Sequence, residues 1–384
     1  MTSAESLMAG LAAYAPWDWR VTYAPSGTWW FRSLVANRSA RSAVVRVGPP
    51  GISGLRAVAE NLVGPVGRRL IGAAERIART PAEILLAPHV FNTFTPIGPH
   101  PYVALTPNDF QHRRFPENFT PSELRRRIRL YEHAVSRADL VITGSRATHV
   151  DLLHFHPQAA DKAWLWRFPA PADLRVPSDT EVILARRLLP RAAASHTIIY
   201  PAQLWPHKNH ATLIRAVALL RSERRLEVSL VLTGAGPQLG PLQDLSRQLG
   251  AQDAVHFVGN VPRGVLFALL ASTDLVAVPS LFEQASYPLV EAGWFQKPIL
   301  AADIVSLREE LAGHELALVP GEDPQAWADA IEQAFEDDAR AGQLREAGRA
   351  VLARHDLAIQ AGEFWRYMLQ KLNDTRRAGL SYRR

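Results

Sequence analysis

The chain contains no cysteine among its 384 residues, which excludes disulfides, thiolate metal sites and cysteine nucleophiles. It has no Asp-x-Asp pair and no His/Glu cluster at metal-ligand spacing, so the sequence offers no bound catalytic metal. No apolar run approaches the roughly 20 residues that a membrane-spanning helix requires. The first residues, MTSAESLMAGLAAYAP, lack a basic start and carry Glu5, which argues against a secretory signal. These absences together suit a cytoplasmic address. Acidic charge is scarce in the first half. Residues 1–180 hold 21 Lys+Arg against 14 Asp+Glu, whereas the remainder holds 22 against 23, so the whole excess of +6 arises early. Such a balance suits an anionic partner, such as the inner face of a membrane touched peripherally or an anionic glycan. It is equally what a solvated arginine-rich surface would show. Apart from this charge, nothing in the sequence resembles a nucleic-acid-binding motif.

What is present is a globular composition, 47% hydrophobic and 21% charged, of a length that suits two domains at roughly 150 residues each. The second half has a clear rhythm. Short apolar runs recur at 196–202, 228–234, 254–259, 274–280, 298–303 and 316–320, separated by helical patterns such as HATLIRAVALLRSE (210–223) and PRGVLFALLAST (262–273). Strands buried on both faces and alternating with helices imply a parallel α/β sheet. In the first half, candidate strands lie at 18–25, 82–89, 101–107 and 139–145, and a helix at 122–138 with Ser122 as a candidate cap. The stretch 167–195, rich in Pro, Ala and charge, reads as a connection between domains. The expected organisation is a domain at 1–180, a second at 196–355 and a helical segment at 356–384 that crosses back to the first.

Ligands of parallel α/β sheets sit at the carboxyl ends of the strands, so the loops there are the candidates. In PSLFEQASYPLVEAG (279–293) a strand ends, a short loop follows and Pro288 stands where a helix can begin. Amides at a helix start suit a phosphate near Ser286 and Tyr287. Glu283 and Glu291 could accept hydrogen bonds from sugar hydroxyls. Their E-x7-E spacing selects nothing alone, because Glu75 and Glu83 share it; the setting of strand end, loop and helix start does. In PAQLWPHKNH (201–210), Lys208 adds a positive charge beside another helix start. LTGAGPQLG has glycines at 234, 236 and 240, one residue longer than the dinucleotide fingerprint and without the acid about 20 residues on. They fit a tight turn against a ligand better than an NAD site. In the first half, LTPNDFQHRRFPENF carries Asn108, Asp109 and His112. These could face an acceptor, although a single histidine in such a loop is as well explained by packing. Arg125, Arg126, Arg127 and Arg129 form either a solvated helix face or a membrane contact. The Trp29-Trp30 pair is either packed or a sugar platform.

These segments resemble the family 4 retaining glycosyltransferases. The likeness runs through WPHKNH, LTGAGP, HFVGNV, residues 279–293 and KPILAADIVSLREEL, and through NDFQHRRFPENF and ADLVITGSRATHVDLL in the first half. It implies two Rossmann-like domains facing a cleft, the GT-B architecture, and transfer of a sugar from a nucleotide donor with retained configuration and no metal or cofactor. The donor is then a substrate, and the acceptor a polysaccharide or glycolipid. Mannose from GDP-mannose is the first expectation. The resemblance makes Glu283, Lys208 and Asn108 the catalytic set. Glu291 is expected at the ribose, and Gln203, Gly234, Asn260, Ser286 and Tyr287 around the donor, with Asp109 and His112 on the acceptor side. Four positions depart from the pattern: Gln203 replaces an arginine, Gln284 and Ser286 replace glycines, and Asn108 replaces a histidine. The family also opens with a strand and a Gly-rich loop, whereas this chain begins on what reads as the helix after them, so the first strand of its N-terminal domain is expected to be missing. A non-catalytic nucleotide-sugar-binding or scaffold protein with a degenerate acceptor domain is the alternative.

Overall fold

The computed structural model describes residues 3–15, 20–23, 34–37, 84–87, 102–107, 109–189 and 196–377. Asn108 and the Trp29-Trp30 pair lie outside the described residues. The chain divides into two compact units, residues 1–172 with 357–384, and residues 173–356. The first division thus falls inside the Pro/Ala/charge stretch, and everything from Leu357 onward belongs with the first unit.

In the second unit six strands form one sheet in the order β12-β11-β10-β7-β8-β9, with β7 His196–Pro201, β8 Val228–Thr233, β9 Val255–Gly259, β10 Leu275–Val278, β11 Ile299–Ala302 and β12 Leu318–Val319. All five pairings are parallel. Each strand matches one of the apolar runs, because a strand covered by helices on both faces has no polar alternate positions to dilute its signal. β8, β10 and β11 are buried along their whole length. From β7 the chain builds outward through β8 and β9 on one side, then returns to build β10, β11 and β12 on the other. This is the doubly wound Rossmann order, whose reversal lies between β7 and β10.

The first unit holds β1 Arg20–Tyr23, β2 Leu34–Asn37, β3 Ile84–Ala87, β4 Tyr102–Leu105, β5 Leu140–Thr143 and β6 Ala163–Leu165, hydrogen-bonded in that order. β3 to β6 pair in parallel, but β1/β2 and β2/β3 are antiparallel. Against β4 and β5 pack the helices Pro121–Arg137 and Arg146–Phe155, through Leu105, Phe110, Tyr131, Val135, Val141 and Leu152. The longer helix is capped by Thr120, whose side chain accepts from Glu123 N–H, with Pro121 at the first position. Ser122 is therefore not the cap: Pro121 has no amide to satisfy and begins the helix one residue earlier. The final helix, Leu357–Arg377, buries Ala361, Phe364, Trp365, Met368 and Leu372 on one stripe. Trp365 Nε1 donates to Leu11 O at 2.8 Å, and Trp166 Nε1 donates to Gln360 O at 3.2 Å.

The stretch 167–195 also contains a helix, Asp179–Leu188. It begins with a capping box in which Ser178 Oγ accepts from Glu181 N–H while the Glu181 carboxylate accepts from Ser178 N–H at 2.8 Å. Reciprocal bonds of this kind satisfy two otherwise orphaned amides. The Ser-x-x-Glu signal was in the sequence, masked by the surrounding prolines.

Helix Tyr287–Trp294, which carries Glu291, lies against helix Asp338–Arg354 with glycine facing glycine. A Cβ on Gly293 would stand 2.1 Å from Gly348 O, a backbone atom that cannot swing aside. Gly293→Ala is expected to lower unfolding stability by about 1–3 kcal/mol through overpacking. A urea titration reads this as a lower midpoint at unchanged slope.

Candidate active site

The reversal between β7 and β10 leaves a crevice at their carboxyl ends, and the loops that follow both strands are tied together there. Leu281 N–H donates to His207 O at 2.8 Å. Asn209 holds a left-handed backbone, φ 54°, which asparagine tolerates better than most residues. From it the side-chain amide donates to Pro279 O at 3.2 Å and to Gly321 O at 2.7 Å. Between these bonds, Lys208 Nζ meets Glu283 Oε1 at 2.5 Å, with 19% and 9% of their side chains exposed. Ser280 Oγ donates to the same carboxylate oxygen at 2.6 Å, and Tyr200 OH lies 2.6 Å from Ser280 Oγ. A buried chain from strand β7 thus reaches Glu283. Burial drives the Tyr200 phenol well above its ordinary range, and the nearby Glu283 charge adds to this, so the phenol keeps its proton.

The loop after β10 ends at Ser286, which precedes helix Tyr287–Trp294. Pro288 has no N–H, and the bonded ladder starts with Leu289 N–H to Ser286 O at 3.0 Å. The amides of Ser286 and Tyr287 stand ahead of that ladder, where the helix dipole favours an anion. Ser286 Oγ is buried and has no hydrogen-bond partner. One turn on, Glu291 is 3% exposed. Its Oε1 accepts from Arg263, whose Nε and Nη2 also donate to Asp173 at 3.1 and 3.3 Å. Burial pushes the Glu291 carboxyl upward, and the Arg263 charge opposes this.

Gln203 is engaged with the protein itself. Its Nε2 donates to Asn260 Oδ1 at 3.1 Å and its Oε1 accepts from Ala235 N–H at 3.0 Å. The amide side chain ties the ends of β7, β8 and β9, a task for which an arginine lacks the acceptor. Gly234 has φ +87°, and a Cβ there would meet Ala202 O at 2.3 Å, so the glycine is required by the turn itself. Thus Gln203, Lys208, Gly234, Asn260, Glu283, Ser286, Tyr287 and Glu291 all follow the carboxyl ends of strands in one sheet. Asp109 and His112 belong to the other unit. Asp109 Oδ1 accepts from Gln111 N–H at 3.0 Å. His112 is buried 4.2 Å from the ring of Tyr131, beside Phe110, with both ring nitrogens unpartnered. Burial and the charge of Arg113 bring its pKa to about 4. Sequence reasoning passed over Asn209, Ser280, Arg263 and Asp173. Ser280 and Arg263 lay inside segments singled out for other reasons, and the 90 residues between Asp173 and Arg263 left no spacing to notice.

Residues 186–351 match the family described as glycosyl transferases group 1. That stretch lies within the second unit. The chain is 31% identical over 235 residues to the D-inositol 3-phosphate glycosyltransferase of Corynebacterium aurimucosum, a match covering 59% of this chain and 56% of the relative. The chain therefore spans about half the length of the curated relatives it matches. Among solved structures it resembles Anabaena HepE in complex with UDP and glucose, with TM-score 0.64, 21% identity and coverage of 80% and 83% of the two chains. It also resembles WaaG, a glycosyltransferase involved in lipopolysaccharide biosynthesis, with TM-score 0.60, 15% identity and coverage of 84% and 85%. These likenesses establish the fold of the two units as that of GT-B glycosyltransferases.

Within the second unit, the histidines beside Lys208 are kept neutral. Burial, reinforced by the Lys208 charge, lowers His207 and His210 to about 3. The unfolded chain binds these protons near the ordinary value of about 6.5, so below that pH it takes up protons that the native state refuses. Stability should therefore fall as pH drops from about 6.5 towards 3. The expected outcome is a urea midpoint that declines steadily between pH 6.5 and 4, with a shallower decline in His210→Gln.

Proposed function

We propose that the protein is a retaining glycosyltransferase that moves a sugar from a nucleoside-diphosphate donor to a carbohydrate or glycolipid acceptor. The observation that carries this reading is the meeting of Lys208 and Glu283 at the strand-order reversal, beside a helix start whose Ser286 hydroxyl is buried without a partner. Phosphate oxygens would complete that hydroxyl and take up the amides of Ser286 and Tyr287. Lys208 would leave Glu283 for the diphosphate, neutralising charge as the glycosidic bond to the leaving phosphate breaks. Preorganised charge of this kind is usually the largest catalytic term. Glu283, released but still held by Ser280, would accept from hydroxyls of the transferred sugar, and Glu291 from the ribose. Asn108 would join Glu283 and Lys208 in the catalytic set, and Asp109 would serve the acceptor. In this reading Lys208 supplies the cationic charge and neither metal nor cofactor is used.

GDP-mannose remains the donor suggested by the sequence motifs. The UDP complex of HepE supports testing UDP-sugars beside it. Among the described residues no helix is long and apolar enough to cross a membrane. The exposed Arg125 and Arg129 on helix Pro121–Arg137 support peripheral action at an anionic inner membrane face.

Calorimetric titration with UDP and with GDP, followed by release of the nucleoside diphosphate from UDP-glucose and GDP-mannose, tests the reading. One nucleotide should bind. Glu291→Ala should weaken it by about 1.5–3 kcal/mol, the worth of a charge-assisted bond, or roughly one to two decades. Lys208→Ala should cut turnover about 10²-fold or more. Binding without turnover on any donor would favour the scaffold reading, and no binding of either nucleotide would overturn both.

A further inference from the structure

Resting on that reading, the structure points to a residue that the sequence motifs did not single out. We infer that Arg263 is a positioning residue for the donor's ribose: its guanidinium, forked onto Asp173 and lying over Phe267, holds Glu291 Oε1 and presents Oε2 to the sugar hydroxyls. Arg263 reaches Asp173 through Nε at 3.1 Å and Nη2 at 3.3 Å, while Nη1 donates to Glu291. Its guanidinium carbon stands 4.7 Å from the centre of the Phe267 ring. With both edges occupied and one face covered, the guanidinium has a single orientation. Glu291 Oε2 takes no hydrogen bond among the described residues. One oxygen is therefore fixed by the protein and the other is an unspent acceptor.

The fork also decides the charge of that acceptor. Glu291 is nearly fully buried, and burial alone raises a carboxyl towards its neutral form. The groups facing it are Arg263, which holds it ionised, Asp173, which opposes ionisation, and Tyr287, whose phenol stays protonated because burial and Glu291 both raise it. Arg175, paired with Glu181 at the start of the neighbouring helix, is the next charge outward. Without Arg263, neither Asp173 nor Tyr287, the other two groups that face it, favours the carboxylate. An ionised carboxylate binds a hydroxyl roughly twice as strongly as a neutral acceptor does, so the arginine would act on the nucleotide through Glu291 alone.

That indirect action is what the test isolates. The carboxyl of Glu291 is titrated by carbon-13 NMR in the nucleotide-free protein, wild type, Arg263→Gln and Arg263→Lys, after thermal melts confirm folding. UDP and GDP binding is then measured from pH 5.5 to 8.5 in wild type, Arg263→Gln, Glu291→Gln and the double variant. The expected result is a Glu291 titration moved to higher pH in Arg263→Gln and less so in Arg263→Lys. Wild-type affinity at each pH is the reference, because the terminal phosphate of the nucleotide itself titrates at about pH 6. Relative to it, affinity in Arg263→Gln should be about tenfold lower at pH 5.5 and recover as pH rises. Adding Arg263→Gln to Glu291→Gln should cost nothing further, the signature of action through one partner. An unmoved Glu291 titration, or a loss equal at every pH and additive with Glu291→Gln, would overturn the inference. Failure of wild type to bind either nucleotide would instead overturn the ribose role with the donor reading, whatever the titration showed.

Discussion

The ion pair between Lys208 and Glu283 exists because a parallel sheet changes direction. At the boundary of β7 and β10 the two following loops leave towards opposite sides, and no helix fills the gap between them. A cation from one loop and a carboxylate from the other meet there, largely withdrawn from water. Charges so placed are costly unless paired, and the protein pairs them with each other. The remaining bonds follow from that need. Ser280 and Tyr200 steady the carboxylate from below, and Asn209 pins the lysine loop to the end of β10.

A second buried carboxylate meets the same requirement differently. Glu291 sits on a helix fixed against its neighbour by two facing glycines, so its backbone cannot shift to find water. Arg263 comes to it from another helix, itself oriented by Asp173. The site thus contains two carboxylates with two kinds of cation. Lysine is a compact charge on a flexible stem that can change partners, whereas arginine is a rigid fork that cannot easily do so. In the proposed function it is the exchangeable contact that a diphosphate would take up, while the Arg263 contact would persist.

The second unit was legible in the sequence almost strand for strand, because its strands are covered on both faces and their apolar runs are unbroken. The glutamate loop and Lys208 were legible for a related reason, since local order around a strand end survives in the sequence. The first unit was read less completely. β2 and β6 are short, β1 and β2 pair antiparallel, and a four-residue strand such as Leu34–Asn37 carries too little pattern to separate it from a loop. Gln203 read as a missing cation, whereas the folded chain uses it as a two-ended tie between Ala235 and Asn260. His112 read as either a packed histidine or a contact with substrate, and it lies in an aromatic nest with Tyr131 and Phe110. Both depend on neighbours brought by the tertiary fold, and spacing along the chain does not encode them.

The attachment of helix Leu357–Arg377 to the first unit gives that unit two separate stretches of sequence. A ribosome delivers the early stretch first, then all of residues 173–356, and only afterwards the helix bearing Phe364 and Trp365. Until the helix emerges, Trp164 lacks its stacking partner Tyr367, and Trp166 lacks both Phe364 and the carbonyl of Gln360. The nascent first unit therefore spends the synthesis of the entire second unit with an uncovered indole face. The unit begun first is the one completed last.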